Sequence, residues 1–330
     1  MRKCTVQALG LAIAFFLLLI LLTPSIPQPQ RYHDFADKRE FFGIPNALNV
    51  ISNFLFMVIG LIGLVLCHRM NYFNISISLQ GELWGWTCFY VAVTSVAFGS
   101  SYYHFGPNDA GLVWDRLPMS VAFASLLAIL VIERIDAKKG TISIVSLIMA
   151  GIMSNVYWRQ AYFFIPSICM SFFPYPIALV GHLLIDTVLL EVNKIALQTD
   201  KKFFGDIRLY VLAQGASCIA IPLMATLLPP MYTHSAYWLW ASGFYVLAML
   251  QEAADRVIYL LTFHIVSGHT LKHLSAAMVP IILTVMLAKR SVYSEKLLHV
   301  DYKHCNQDWS CIQNAEEKHA SHLDLDKLIE

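Results

Sequence analysis

Five polar residues in apolar parts of this 330-residue chain have the types and spacing that metal chemistry requires. Ser100 precedes His104 by four residues and His269 precedes His273 by four, so each pair projects from one face of a helix. Asp115 lies eleven residues after His104. Three imidazoles with one open position are the ligand set of a catalytic zinc ion, which lowers the pKa of bound water to about 7. The pattern therefore predicts a zinc site on the three histidines.

The aspartate and the serine of this group suit supporting roles, although each also has an ordinary explanation. Asp115 could accept a proton from the metal-bound water or hold a ligand histidine by its N–H, or it could pair with Arg116 at the membrane interface. Ser100 could hydrogen-bond to a carbonyl of its own helix. An isolated intramembrane histidine is more often a packing residue than a ligand. We favour the zinc site because all five residues are predicted to lie at one membrane depth.

The composition indicates that the elements positioning these residues are membrane helices. The chain is 57% hydrophobic and 14% charged, with a mean hydropathy of +0.58, and crossing the hydrocarbon takes roughly 20 apolar residues. Seven segments are predicted to cross, at about 46–67, 84–104, 113–133, 141–157, 208–229, 236–254 and 265–288. We predict an all-α polytopic membrane protein with seven transmembrane helices. The formal net charge of +1 excludes a nucleic-acid partner, because it leaves no basic face.

An eighth apolar run lies near the amino terminus, at about 8–22, after Arg2 and Lys3. No small-residue cleavage site follows it, so we predict an extra N-terminal helix that is an uncleaved signal anchor, with a cleaved signal peptide as the alternative. Within the membrane domain, 159–204 is apolar but broken by three prolines, and we interpret it as an insertion or a translated intron. The predicted domains are an anchor and linker at 1–30, a membrane domain at 31–290 and a polar tail at 291–330.

Basic residues at the ends of the spans predict the orientation, because connections on the cytosolic side are enriched in lysine and arginine. The residues that follow the first, third and seventh spans include Arg69, Arg134, Lys138, Lys139, Lys289 and Arg290. If these connections are cytosolic, the opposite ends of the second, third and seventh spans face the lumen. Those ends carry the serine, the aspartate and the three histidines. The tail at 291–330 is then cytosolic.

The same motifs resemble those of the CREST superfamily, which includes the alkaline ceramidases and the adiponectin and progestin receptors. The resemblance rests on S-x-x-x-H at 100–104, the aspartate at 115 and H-x-x-x-H at 269–273. It extends over about 31–158 and 205–288. The alkaline ceramidase branch, particularly its plant and bacterial members, is most similar in the strings YHDFADKREFFGIPNALNVISN, SSYYHFGPNDAGLVWDRLPM, GDIRLYVLAQ and VSGHTLKHL.

The resemblance implies a seven-helix bundle that hydrolyses the amide of ceramide, or of phytoceramide, to a sphingoid base and a fatty acid. By position, the three histidines would hold an intramembrane zinc ion, Asp115 would be the general base and Ser100 would polarise the substrate carbonyl. It also implies an endoplasmic reticulum or Golgi membrane, with the site toward the lumen. The alternative is a CREST-type receptor or lipid-remodelling protein with a structural zinc, for which His264 is the nearby candidate fourth ligand.

Calcium is the second cofactor that the resemblance raises. Animal alkaline ceramidases carry a calcium site near the first span, built from an acidic D-W-x-E-type segment and a later glutamate. In this chain Asn46 stands about where that glutamate is expected. Carboxylate and amide oxygens could still bind Ca²⁺ here, and the candidates are Asp37, Glu40, Asn46 and Asn49. The alternative, which we favour, is that the carboxylates only balance neighbouring basic side chains at the lumenal surface.

Overall fold

The computed structural model describes residue 22 and residues 28–69, 80–156 and 207–291. Three features predicted from the sequence lie outside these residues: the N-terminal helix except for its last residue, the segment 159–204, and the tail beyond residue 291. The domain boundaries drawn there stay predictions. The architecture below is that of the described residues.

These residues form α-helices joined by short connections, and no strand occurs among them. A 3-10 turn at Gln30–His33 comes first. The α-helices that follow it in the described chain are α1 (Ala47–Ile51), α2 (Phe54–His68), α3 (Gln80–Phe105), α4 (Asp109–Arg134), α5 (Ala137–Val156), α6 (Arg208–Leu227), α7 (Tyr237–Ala253), α8 (Asp255–Leu261) and α9 (Gly268–Lys289). The predicted all-α class is therefore confirmed for this part of the chain.

Several of these helices are long and apolar enough to cross a membrane, which indicates a membrane protein. In the described chain, five stretches meet both conditions: Ala47–His68, Asp109–Arg134, Ala137–Asn155, Arg208–Leu227 and Gly268–Lys289. The other two predicted spans correspond to α3 and α7, which are helical but do not belong to the five. Helix α7 has only 17 residues, and α3 includes polar residues such as Glu82 and His104. The count of seven transmembrane helices stays a prediction.

Side-chain caps define where two of the long helices begin. The side chain of Asn108 accepts a hydrogen bond from the backbone N–H of Gly111 at 2.7 Å, at the start of α4. Ser267 accepts one from the N–H of Thr270 at 3.1 Å, at the start of α9. Such caps satisfy backbone donors that have no partner inside the helix. They set the starts of the two helices that carry Asp115 and the pair His269 and His273.

Close packing of α3 against its neighbours brings Ser100 and His104 into register with α4. Helix α3 lies between α2 and α4, and α7 packs against α9. Gly99 permits the approach of α3 to α4, because a Cβ added there would collide with the backbone carbonyl oxygen of Trp114. Ser100 and Asp115 are the next residues on the two helices. The crossing therefore places the serine and the aspartate at the same end of the bundle.

A buried ionic cluster lies at the opposite end of α9. The Arg290 guanidinium donates hydrogen bonds to Glu133 at 2.9 Å and to Glu82. Tyr232 donates another to Glu82 at 2.6 Å. The side chains of Arg290 and Glu82 have no exposed surface. These contacts join α3, α4 and the end of α9, about 30 Å along the helix from His269.

Candidate metal centre

Three buried histidines meet at one end of the bundle. His104 lies in the last turn of α3, and His269 and His273 lie in the first turns of α9. Their potential ligand nitrogens all lie within 4.8 Å of one another. The Nε2 atoms of His104 and His269 are 3.3 Å apart. The structure thus brings together the three residues that the sequence predicted as ligands, although 165 positions separate the first from the second.

The distance between two of these nitrogens fits a metal ion. In a tetrahedral zinc site the Zn–N distance is about 2.0–2.1 Å, which places two ligand nitrogens about 3.3–3.4 Å apart. The separation of 3.3 Å between the two Nε2 atoms matches that value. In the described chain no cysteine or carboxylate joins the group, which consists of the three histidines. The cluster could therefore bind a metal ion and leave a coordination position open.

Two residues outside the predicted set contact the outer nitrogens of these histidines. The Ser52 hydroxyl is 2.8 Å from Nδ1 of His273. A carboxylate oxygen of Glu252 is 4.0 Å from Nδ1 of His269. Outer contacts of this kind orient metal-binding imidazoles. No local sequence pattern points to Ser52, whereas an acidic residue at the end of the apolar segment 236–254, such as Glu252, indicates a functional role.

The segment before α1 covers the histidines. The Phe35 ring lies 4.8 Å from the ring centre of His104 and 4.7 Å from that of His269, and only 4% of Phe35 is exposed. Asp255 holds this segment to α9: one carboxylate oxygen accepts the N–H of Ala36 at 2.9 Å and the other accepts the N–H of His269 at 2.8 Å. The cover is thus hydrogen-bonded to the helix that carries two of the histidines.

Asp115 and Ser100, the predicted catalytic residues, are buried at the same end of the bundle. Asp115 lies in the second turn of α4 and is 5% exposed. Its carboxylate interacts electrostatically with His273 and with Lys272. Ser100 is 2% exposed and lies one turn before His104 on α3. Both residues are therefore placed beside the histidine cluster without belonging to it.

A buried polar network flanks the histidines on the side of α7. The Lys272 ammonium donates to Glu252 at 2.6 Å, and the Tyr32 hydroxyl donates to the same oxygen at 2.9 Å. Burial, and after it the charge of Glu252, raises the pKa of Tyr32 well above its ordinary value, so the phenol keeps the proton that it donates. The Arg116 guanidinium lies 5.1 Å from the Tyr32 ring centre and 4.6 Å from that of Tyr210. The network joins the covering segment to four helices: α4, α6, α7 and α9.

The four candidate calcium ligands have separate surroundings. Both carboxylate oxygens of Asp37 accept hydrogen bonds from Arg39, at 2.9 and 2.7 Å. Glu40 is exposed. Asn46 donates to the backbone carbonyl of His104 at 3.0 Å, and Asn49 accepts from the Thr270 hydroxyl at 2.8 Å. The ion pair of Asp37 with Arg39 agrees with the interpretation that these carboxylates balance neighbouring basic side chains. The two asparagines instead join α1 to the helices that carry the histidines.

An apolar cavity lies between the helices of the bundle, and the three histidines are not among its lining residues. About 830 Å³ between the helices is free of atoms, including the part that opens to the outside. Val96, one turn before Ser100, and Ala276, three residues after His273, both line it. Other lining side chains are Phe89, Val93, Met119, Phe123, Trp238 and Val279. The cavity could therefore hold an apolar chain.

Neither a scan against models of protein families nor a search of curated proteins finds a match for this chain. The resemblance to the alkaline ceramidases consequently rests on the sequence motifs alone.

Proposed function

We propose that this protein is a zinc-dependent membrane hydrolase that cleaves the amide bond of ceramide or phytoceramide. The observation that carries the proposal is the group of three buried histidines, with 3.3 Å between two of its Nε2 atoms. Three protein ligands that leave a position open are typical of hydrolytic zinc sites. The substrate class comes from the motifs that resemble the alkaline ceramidases.

The residues around the histidines suit such a hydrolysis. When bound, the zinc ion would act as a Lewis acid and lower the pKa of a water molecule to about 7. Asp115 would accept a proton from the water molecule whose oxygen attacks the carbonyl carbon of the amide. Ser100 would donate a hydrogen bond to the carbonyl oxygen as negative charge develops there. When the carbon–nitrogen bond breaks, Asp115 would return the proton to the nitrogen, and a sphingoid base and a fatty acid would leave.

The apolar cavity supports a lipid as the substrate. Its lining includes Val96, one turn before Ser100 on α3, and Ala276, three residues after His273 on α9, and it is almost entirely hydrocarbon. A long alkyl chain would bury its surface there at a gain of about 0.8 kcal/mol per CH₂ group. The amide at the end of that chain would then lie beside the histidines and Asp115.

The main alternative is a CREST-type receptor or lipid-remodelling protein with a structural zinc. Structural zinc sites have four protein ligands. His264, the candidate for the fourth, is exposed and packs against Tyr259, with 4.8 Å between ring centres. It does not belong to the group of three histidines in the described residues. This arrangement favours the enzyme over the alternative.

The proposed setting is an endoplasmic reticulum or Golgi membrane with the histidines toward the lumen. The proposal for the orientation rests on the basic residues that follow the first, third and seventh predicted spans. The last turn of α3 and the first turns of α4 and α9 carry the site residues. These ends would share the lumenal side.

The decisive experiment is hydrolysis by purified full-length protein. Ceramides and phytoceramides of several chain lengths are incubated with the protein as isolated, after removal of metal by a chelator, and after zinc is added back. We expect equal amounts of sphingoid base and fatty acid, loss of both on chelation and their return with zinc. Protein that carries a full equivalent of zinc and hydrolyses no ceramide would contradict the proposal.

A further inference from the structure

The Ser52 side chain contacts one of the three histidines, His273. It follows α1 directly, is buried, and belongs to neither of the helices that carry the histidines. Its hydroxyl donates to the backbone carbonyl of Asn49 at 3.1 Å. The same oxygen is 2.8 Å from Nδ1 of His273. One hydroxyl is therefore shared between a carbonyl and an imidazole.

The proton count of this contact determines the tautomer of His273. A hydroxyl has one proton and two lone pairs, and a neutral imidazole has one N–H donor and one acceptor nitrogen. If the Ser52 hydroxyl donates its proton to the carbonyl of Asn49, its lone pair faces His273 and Nδ1 carries the hydrogen. This arrangement leaves the lone pair of His273 on Nε2.

We propose that Ser52 is a positioning residue that fixes the tautomer and ring orientation of His273, so that its Nε2 faces the metal ion. This inference rests on the zinc site of the proposed function. Among the described residues, the outer nitrogens of the other two histidines have weaker contacts. Nδ1 of His269 is 4.0 Å from Glu252, and Nδ1 of His104 has no hydrogen-bond partner there. Ser52 thus makes His273 the best-oriented ligand of the three.

Other hydrogen bonds also attach α1 to the bundle, so the effect of Ser52 on His273 can be tested separately from its effect on the fold. Asn49 of α1 accepts a hydrogen bond from Thr270 of α9 at 2.8 Å. Ser101 of α3 donates to the carbonyl of Val50 at 3.2 Å. Helix α1 therefore stays attached to both histidine-bearing helices when the Ser52 hydroxyl is removed. Ser101 is a matched control, since its hydroxyl also bonds a carbonyl of α1 but does not contact a histidine.

The test measures metal binding by the full-length protein rather than turnover. Ser52→Ala, Ser52→Thr and Ser101→Ala are compared with the wild type by competition for zinc with a chelator and by the absorption spectrum of the cobalt-substituted protein. We expect Ser52→Ala to bind zinc about 10–100-fold more weakly and to alter the cobalt spectrum, the scale for loss of an outer partner. Ser52→Thr keeps the hydroxyl and should restore both properties, and Ser101→Ala should match the wild type.

Zinc affinity and cobalt spectrum of Ser52→Ala equal to those of Ser101→Ala would overturn the inference. If Ser52→Ala does not fold, ¹⁵N NMR of histidine-labelled, zinc-loaded wild-type protein decides instead. A hydrogen on Nδ1 of His273 supports the role of Ser52, and metal coordination by that Nδ1 overturns it. Because neither measurement uses ceramide, failure of the hydrolase proposal and failure of this inference give different results.

Discussion

At the scale of single residues, the proposed function assigns different roles to the three histidines and to the two other polar residues buried at the same end of the bundle. His104, His269 and His273 form the possible ligand group, whereas Asp115 and Ser100 are buried beside it. Loss of a ligand and loss of a proton acceptor should therefore have different effects on metal content. Variants of these residues can distinguish the two roles.

Replacement of a ligand should remove both metal and activity. His104→Ala, His269→Ala or His273→Ala leaves two imidazoles, fewer than the three that hold zinc in catalytic sites. We expect each variant to lose bound zinc, measured by elemental analysis, and to lose ceramide hydrolysis. His264→Ala is the control, because this exposed histidine packs on Tyr259 and should keep both. Wild-type zinc content in all three ligand variants would exclude the site.

Replacement of the aspartate or the serine should spare the metal. Asp115→Asn removes the proton acceptor, and we expect turnover to fall by roughly 10²–10⁴-fold while zinc stays bound. Ser100→Ala removes one donor to the carbonyl oxygen and should cost at most about 10²–10³-fold. The measurements are kcat and the zinc-to-protein ratio of each variant. Unchanged kcat in Asp115→Asn would show that another group accepts the proton.

At the scale of helices, close backbone contact and a buried ionic cluster position the elements that carry the site. Gly99 lies where α3 meets the backbone of α4, one residue before Ser100. At the other end, Arg290 connects Glu82 of α3 with Glu133 of α4. Both contacts join helices whose polar ends contribute to the histidine end of the bundle, so changes here should affect stability.

A side chain at Gly99 should separate α3 from α4. In Gly99→Ala the new Cβ would meet the carbonyl oxygen of Trp114, a backbone atom that moves only with its helix. We expect a lower thermal unfolding midpoint in detergent and weaker zinc binding, because His104 is on the displaced helix. Gly243→Ala is the control, since a Cβ there meets nothing within 4 Å. Equal midpoints in the two variants would disprove the close approach.

Removal of the buried arginine alone should lower the stability of the protein more than removal of all three charges of the ionic cluster. Arg290→Met leaves Glu82 and Glu133 buried with less positive charge, and losing one partner of a buried ion pair costs about 3–5 kcal/mol. The triple variant Glu82→Gln, Glu133→Gln, Arg290→Met replaces all three charges and should regain much of that stability. Thermal unfolding of the two variants tests this, and a triple variant less stable than Arg290→Met would contradict it.

At the scale of the whole molecule, the orientation of the bundle determines which compartment the histidines face. The connection after the first predicted span contains the sequon Asn74-Ile75-Ser76 and follows Arg69, so it is predicted to be cytosolic. Residue 74 lies outside the part of the chain that the structure describes. We expect no glycan on it in a eukaryotic membrane. A mass shift that an endoglycosidase removes, and that is absent in Asn74→Gln, would invert the topology.

The sequence alone determined the helical class and most of the helix positions. Apolar runs and their length are local properties, and the predicted segments at 84–104 and 265–288 correspond closely to α3 and α9. The i and i+4 spacing of His269 and His273 placed them on one face, because the period of a helix fixes that relation. The helical segments, and which residues share a face within one helix, therefore follow from the local sequence.

Only the tertiary structure decided which polar groups meet. His104 and His269 are 165 positions apart, and their Nε2 atoms come within 3.3 Å only through the packing of α3 and α9. Ser52 and Glu252 reach the outer nitrogens from other elements, and Asp37, a candidate calcium ligand, is paired with Arg39. No short-range pattern encodes such contacts, because they depend on how separate helices cross. The sequence supplied the chemical groups, and the packing of the helices determined their partners.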